Sequence, residues 1–192
     1  MTTFTINQVA SHLETNTDFD RFFKLVAALG PQMNNAQLRF LKAQILEKSL
    51  EIYSNYSLSY VADVGCDFVI PQLDNTKLEM KFSHNSVFGK TGTLSKNCTV
   101  KLMNSNGSNT HSALPESYSD FLLVVSQRGA IVFDKPTISQ HITINGDGIK
   151  ARIPSNLGTV VAGPWLQGHS VTPVDFVDSL NTAIHNYAIS IT

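Results

Sequence analysis

The chain has 192 residues, 42% of them hydrophobic, and a formal net charge of −1, which suits one globular domain over residues 1–192 with a real core. No apolar run is long enough to span a membrane, and the polar, mixed stretch from Met1 to Thr17 is no secretory leader, so a cytoplasmic protein is expected. A charge so near zero argues against a surface that is basic all over, but a nucleic-acid cleft needs only a local basic patch.

Cys66 and Cys98 lie far apart without CxxC spacing, and the six histidines are scattered without ligand spacing, so neither a disulfide frame nor a zinc site is expected. No G-x-S-x-G elbow is present, which removes the commonest serine-hydrolase pattern.

Three helices are expected first. Residues 5 to 15 form a weak one around Val9 and Leu13. Thr17 or Asp18 caps a second from Phe19 to Leu29, stopped by Gly30-Pro31. Asn34 or Asn35 caps the strongest, Ala36 to about Tyr53, whose Leu38, Leu41, Ile45, Leu46 and Leu50 make a wide core stripe. Glu47 and Glu51 sit one turn apart on it beside Lys48, as solvated helix charges often do.

Ser59 to Val64 reads as a strand. The stretch Gly65 to Ser83 then reads as two strands and a turn: Cys66 to Gln72 around Phe68-Val69-Ile70, turn residues Leu73-Asp74-Asn75-Thr76, and a strictly alternating run from Lys77 to Ser83. Side chains flip at every strand residue, so Glu79 and Lys81 share a face about 7 Å apart. Pairing of the two strands as a hairpin brings Asp67 within reach of that face, ahead of its rival Asp63. Two carboxylates suit a hard divalent cation such as Mg²⁺, which polarises phosphoryl oxygen and lowers the pKa of water. A lysine beside them would orient that water or stabilise charge on the phosphate. Against this stands chance: with 15 acids in the chain, roughly one acid-x-Lys triplet is expected, and Glu79-Met80-Lys81 is the only one. A solvated Lys-Glu-Lys face is also a common way to blunt a strand.

The run Gly65-Cys66-Asp67-Phe68-Val69-Ile70, a turn, then Leu78-Glu79-Met80-Lys81-Phe82-Ser83 resembles the core of the PD-(D/E)XK nucleases, in particular type II restriction endonucleases. Cys66 stands where the motif's name has proline, and the motif covers under a tenth of the chain. The resemblance implies a single α/β domain, its mixed central sheet flanked by helices, that hydrolyses double-stranded DNA with Mg²⁺. Asp67 and Glu79 would hold the metal, the Met80 carbonyl completing its shell, and Lys81 would position or activate the attacking water. Many members carry a further glutamate on the preceding helix, which maps onto Glu47, in the run Ile45-Leu46-Glu47, in preference to Glu51. A homodimer cutting a short palindrome is implied as well. Two other readings stay open: a structure-specific or repair nuclease with the same core, and a non-enzymatic binding or coat-like protein with a β-rich, Asn/Ser-rich surface.

His84 to Pro115 is rich in Asn, Ser, Thr and Gly, with one strand expected at Asn97 to Met103. Gly89-Lys90-Thr91 suggests a phosphate loop, but the first glycine that loop requires falls at His84, so no nucleotide cofactor is expected. From Lys77 to Lys101, Lys77, Lys81, Lys90, Lys96 and Lys101 face a single acid, Glu79. Asn pairs bidentately with adenine, and Lys with guanine or phosphate. Lys90, Lys96, Lys101, Asn104, Asn106 and Asn109 are therefore the candidate DNA contacts; a long surface loop is the plainer alternative. A second hairpin follows, Asp120 to Ser126 and Ala130 to Asp134, its uniformly apolar first strand expected to be central. A third is expected from Ile142-Thr143-Ile144 and Ile149 to Ile153, with Lys150 and Arg152 on one face, against phosphates or simply solvated. Thr172-Pro173-Val174-Asp175 opens a last helix, Pro173 to about Tyr187.

Overall fold

In a computed structural model the chain is described over residues 4–32, 39–63, 65–83, 87–104, 113–145, 148–165 and 181. Its elements run α1 (Ile6–Asn16), α2 (Phe19–Gln32), α3 (Arg39–Tyr53), β1 (Ser59–Asp63), β2 (Cys66–Ile70), β3 (Thr76–Phe82), β4 (Asn97–Asn104), β5 (Phe121–Ser126), β6 (Gly129–Asp134), α4 (Lys135–Ser139), β7 (Ile142–Asn145), β8 (Gly148–Pro154) and β9 (Thr159–Ala162).

Local chemistry sets most of these bounds. Thr5 and Gln8 form a reciprocal capping box at the start of α1, and the Asp18 carboxylate accepts the Arg21 N–H at 3.0 Å at the start of α2. The expected stop at Gly30-Pro31 falls inside α2, which runs on to Gln32. Proline near a helix end removes one backbone bond without having to break the helix there. The first strand of the motif ends two residues early, at Ile70, because Pro71–Leu73 winds into a 3-10 turn. Asp74 and Asn75 follow in left-handed conformation, φ 52° and 55°, which these two residue types tolerate.

The strands form two sheets. A six-stranded sheet has the order β1-β2-β3-β5-β6-β9, and a three-stranded one the order β4-β8-β7. All three expected hairpins are antiparallel: β7–β8 lies in the small sheet, while β2–β3 and β5–β6 join through a parallel β3–β5 contact that makes the larger sheet mixed. β5 is buried along its whole length, as its unbroken apolar run requires. Two elements went unanticipated: the short α4, capped by Asp134 with proline in its first turn, and β9, which extends the sheet beyond β6. The last expected helix, Pro173 to Tyr187, lies outside the described residues.

Alternation decides what each face of the large sheet covers. Phe68, Ile70, Leu78, Met80, Phe121, Leu123 and Val125 pack with Leu13, Phe22, Phe23, Leu46 and Leu50 of α1–α3. On the opposite face, Leu122, Val124, Ile131 and Phe133 pack against Cys98, Val100, Ile149, Ala151 and Ile153 of the small sheet. The result is three layers: helices, mixed sheet, small sheet. Phe22, Phe23, Phe68 and Phe133 are fully buried, each worth about 2–3 kcal/mol in apolar surface removed from water.

Candidate active site

The register of β2 on β3 is Phe68↔Leu78, Val69↔Lys77 and Ile70↔Thr76. One further step would set Asp67 opposite Glu79, with both side chains on the face away from the helices. The backbone ladder ends before that step. Instead, the Asp67 carboxylate itself accepts the Met80 N–H, at 2.7 Å. On its other side β1 shifts register between Tyr60 and Asp63, whose partners are Phe68 and Cys66, so Val61 and Ala62 stand against Asp67 alone. Such bulges re-aim a side chain. Asp67 therefore sits where β3 leaves β2 and where β1 bulges.

Glu79 and Lys81 alternate with Leu78, Met80 and Phe82, and the Lys81 ammonium donates to Glu79 Oε1. Glu79 is only 2% exposed, an unusual position for an acid, and its Oε2 is buried without a donor. Burial chiefly, and then the charge of Asp67, push its carboxyl up to about 7 against the pull of Lys81. Burial also raises Asp67, although Lys81, the Met80 N–H and a hydrogen bond to Glu79 oppose it. The two carboxyl groups are thus close enough to share a proton. Burial lowers the Lys81 ammonium, but the summed charges of Glu79, Asp67 and Glu47 outweigh it, so the lysine stays charged.

Glu47 reaches this cluster from α3. Burial and the Asp67 charge raise its carboxyl, opposed by a hydrogen bond from the Tyr60 hydroxyl and by Lys81. Glu51, one turn on, is occupied elsewhere: its Oε1 accepts the Tyr60 N–H at 2.8 Å and its Oε2 takes Lys48 at 3.2 Å. Of the two helix acids, Glu47 is the one whose charge acts on Glu79 and Lys81 and whose own carboxyl is raised by Asp67. Asp63 is exposed at the end of the edge strand β1.

Two tyrosines complete the surroundings, and neither carries a sequence signal. Burial, then the charge and hydrogen bond of Glu47, push Tyr60 up to about 12, so it serves as a donor. Tyr118 is buried with an unpartnered hydroxyl, and burial together with Glu79 and Asp67 raises it further still. Its ring lies against Gly65, where an added Cβ would come 2.9 Å from Tyr118 Cδ2. Ser119 locks this corner by donating both N–H (3.0 Å) and Oγ (2.7 Å) to the Gly65 carbonyl.

The donor set fits a hard cation. Asp67 and Glu79 present neighbouring carboxyl groups, both raised by burial, and Glu79 Oε2 lacks a donor. Among the described residues no three His, Cys, Asp or Glu side chains converge into a complete metal cage. Two carboxylates, water and substrate oxygens are the shell that Mg²⁺ prefers.

The candidate DNA contacts do not gather at one point. Lys90 is exposed on a turn closed by Gly89 N–H to Thr93 O (2.8 Å) and held by buried Phe88. Lys96 is exposed just before β4, and Lys101 lies half-buried on β4. Asn104 ends β4, its side chain outside the description, while Asn106 and Asn109 fall outside the described residues. Lys150 and Arg152 lie on β8, across from Lys101 and Thr99.

Comparison with family models, with curated proteins and with solved structures finds no match to this chain. Among the described residues no helix is long and apolar enough to cross a membrane.

Proposed function

We propose that the protein is a Mg²⁺-dependent endonuclease acting on double-stranded DNA, of the type II restriction class, with a restriction-endonuclease-like core. The observation that carries this reading is the convergence of Asp67, Glu79 and Lys81 where β2 and β3 part, with a third acid, Glu47, bearing on them from a helix. Burying three acids around one lysine costs stability, and folding alone gives no reason for it.

Asp67 and Glu79 would hold the cation, with the Met80 carbonyl beside them. When bound, the cation supplies Lewis-acid polarisation of the phosphate and a water acidic enough to attack at neutral pH. The protein's own groups do the rest. Met80 N–H fixes the Asp67 carboxylate. Lys81, charged and held by Glu79, is placed to orient the attacking water in line and to offset charge growing on the phosphate oxygens. Glu47, with its carboxyl raised, is suited to take a proton from that water, and the Tyr60 hydroxyl orients it. A homodimer would set two such sites against the two strands of a palindrome.

The test is incubation of purified protein with plasmid and phage DNA, with Mg²⁺ or with EDTA, alongside Lys81→Ala. Discrete fragments that require Mg²⁺ and vanish in the variant are expected, and sequencing their ends gives the site. Intact duplex together with cleaved flaps or branches would move the assignment to a structure-specific nuclease. Full activity of any kind in both Lys81→Ala and Asp67→Ala would sink the catalytic reading.

A further inference from the structure

The small sheet presents its two faces very differently. Inward, Cys98, Val100, Ile149, Ala151 and Ile153 are buried against β5 and β6. Outward, alternation leaves Thr99 and Lys101 on β4, Lys150 and Arg152 on β8, and Thr143 on β7. The register pairs Lys101 directly with Lys150, and Thr99 with Arg152. Like charges set directly across a strand pair are destabilising. Among the described residues, these outward positions include no acid, although the whole chain is slightly acidic. Neither Lys101 nor Arg152 meets a described carboxylate.

The direction of this face matters as much as its charge. Glu79 and Lys81 pair with Leu122 and Val124, so they point to the same side of the large sheet as those two residues. The small sheet is stacked on that side, over Leu122, Val124, Ile131 and Phe133. The small sheet therefore lies on the same side of the large sheet as Glu79 and Lys81, its charged face turned outward on that side, and the two sheets are linked at their border by Ser83 Oγ donating to the Thr99 carbonyl at 3.2 Å.

We infer that this outward face, through Lys101 and Arg152, docks the phosphodiester backbone of the DNA whose scissile bond lies at Asp67 and Glu79. The inference rests on the nuclease reading and adds a surface to it. A flat sheet of cations and hydroxyls reads charge and not base edges, so it would fix position and leave sequence readout to other parts of the chain.

The experiment is equilibrium binding of a short fluorescent duplex in EDTA, across a series of salt concentrations. It compares wild type with Lys101→Gln/Arg152→Gln and with the charge-keeping Lys101→Arg/Arg152→Lys. We expect the neutral pair to bind about tenfold or more weakly and its log–log salt slope to fall by about 2, one unit for each lost phosphate contact. The charge-keeping pair should retain both, and the thermal midpoint of the neutral pair should not fall, since it relieves the Lys101–Lys150 repulsion. Wild-type affinity and slope in the neutral pair would overturn the inference. So would a wild type that ignores the duplex, or that binds phosphatidylserine vesicles in preference to it. Cleavage with Mg²⁺ is scored separately: wild type that cuts while the neutral pair binds normally removes the surface and keeps the nuclease. Salt-sensitive binding lost in the neutral pair, without any cutting, removes the nuclease and keeps the surface.

Discussion

The Asp67 carboxylate takes the Met80 N–H at 2.7 Å, at the position where the β2 backbone would otherwise have carried the ladder forward. That one bond satisfies a strand amide, holds the carboxylate in place, and lets β2 and β3 diverge around the cluster formed with Glu79 and Lys81. On the proposed nuclease reading, the same side chain would serve both catalysis and folding.

Asp67→Asn and Lys81→Ala should each reduce cleavage by about 10²–10³-fold or more, the usual loss on removing a group aimed at developing charge. Asp67→Asn keeps an acceptor for the Met80 N–H, so its unfolding free energy should stay within about 1 kcal/mol of wild type. Rates and denaturant curves measured on the same preparations separate lost chemistry from lost fold.

Glu79 gives stability a distinctive pH dependence. Its carboxyl ionises near 7 in the folded protein against an ordinary 4.5, so over that window the folded chain keeps a proton that the unfolded chain has released. The resulting stabilisation is complete below about 4.5 and is lost as pH rises through about 7, a loss on the order of 3 kcal/mol. Urea midpoints in EDTA should decline over this range, and Glu79→Gln should lose the larger part of that slope. A cation would take the proton's place, so Mg²⁺ should raise the midpoint at pH 8 and hardly at pH 5.5, that is, above but not below about 7. A flat wild-type profile would contradict the assignment.

The two helix glutamates should separate cleanly. Glu51→Ala strands the buried-side Tyr60 N–H and releases Lys48, and should cost about 2 kcal/mol of stability. Glu47→Gln removes a charge that burial and Asp67 disfavour, so stability should hold or rise while the cleavage rate falls about tenfold or more. The opposite pattern would exchange their roles.

Gly65→Ala tests the corner that supports the site. Gly65 has φ 78°, and a Cβ there would press within 2.9 Å of the Tyr118 ring. Backbone strain and the displaced ring together should cost about 2–4 kcal/mol. Asp67 is two residues on, so cleavage should fall further than the change in folded fraction accounts for.

The sequence by itself determined the local elements: a cap at Thr17 or Asp18, the alternation that puts Glu79 with Lys81, the apolar run that makes β5 central, and the turn at Asp74-Asn75. Each of these is written in neighbouring residues, within the reach of one helical turn or one hairpin. It favoured Asp67 over Asp63, because Asp67 opens the strand that hairpins onto Glu79, and Glu47 over Glu51 only through the resemblance. What the tertiary structure adds there is that Glu51 takes the Tyr60 N–H and that β1 bulges opposite Asp67, and both depend on contacts between separate elements. The joining of two hairpins by a parallel β3–β5 contact, and the stacking of β4-β8-β7 as a separate layer, are likewise set by packing between distant segments. Tyr118 is the plainest case: its neighbours Glu116, Ser117, Ser119 and Asp120 form no recognisable motif, and its place beside Gly65 exists only once β5 has been laid against β3.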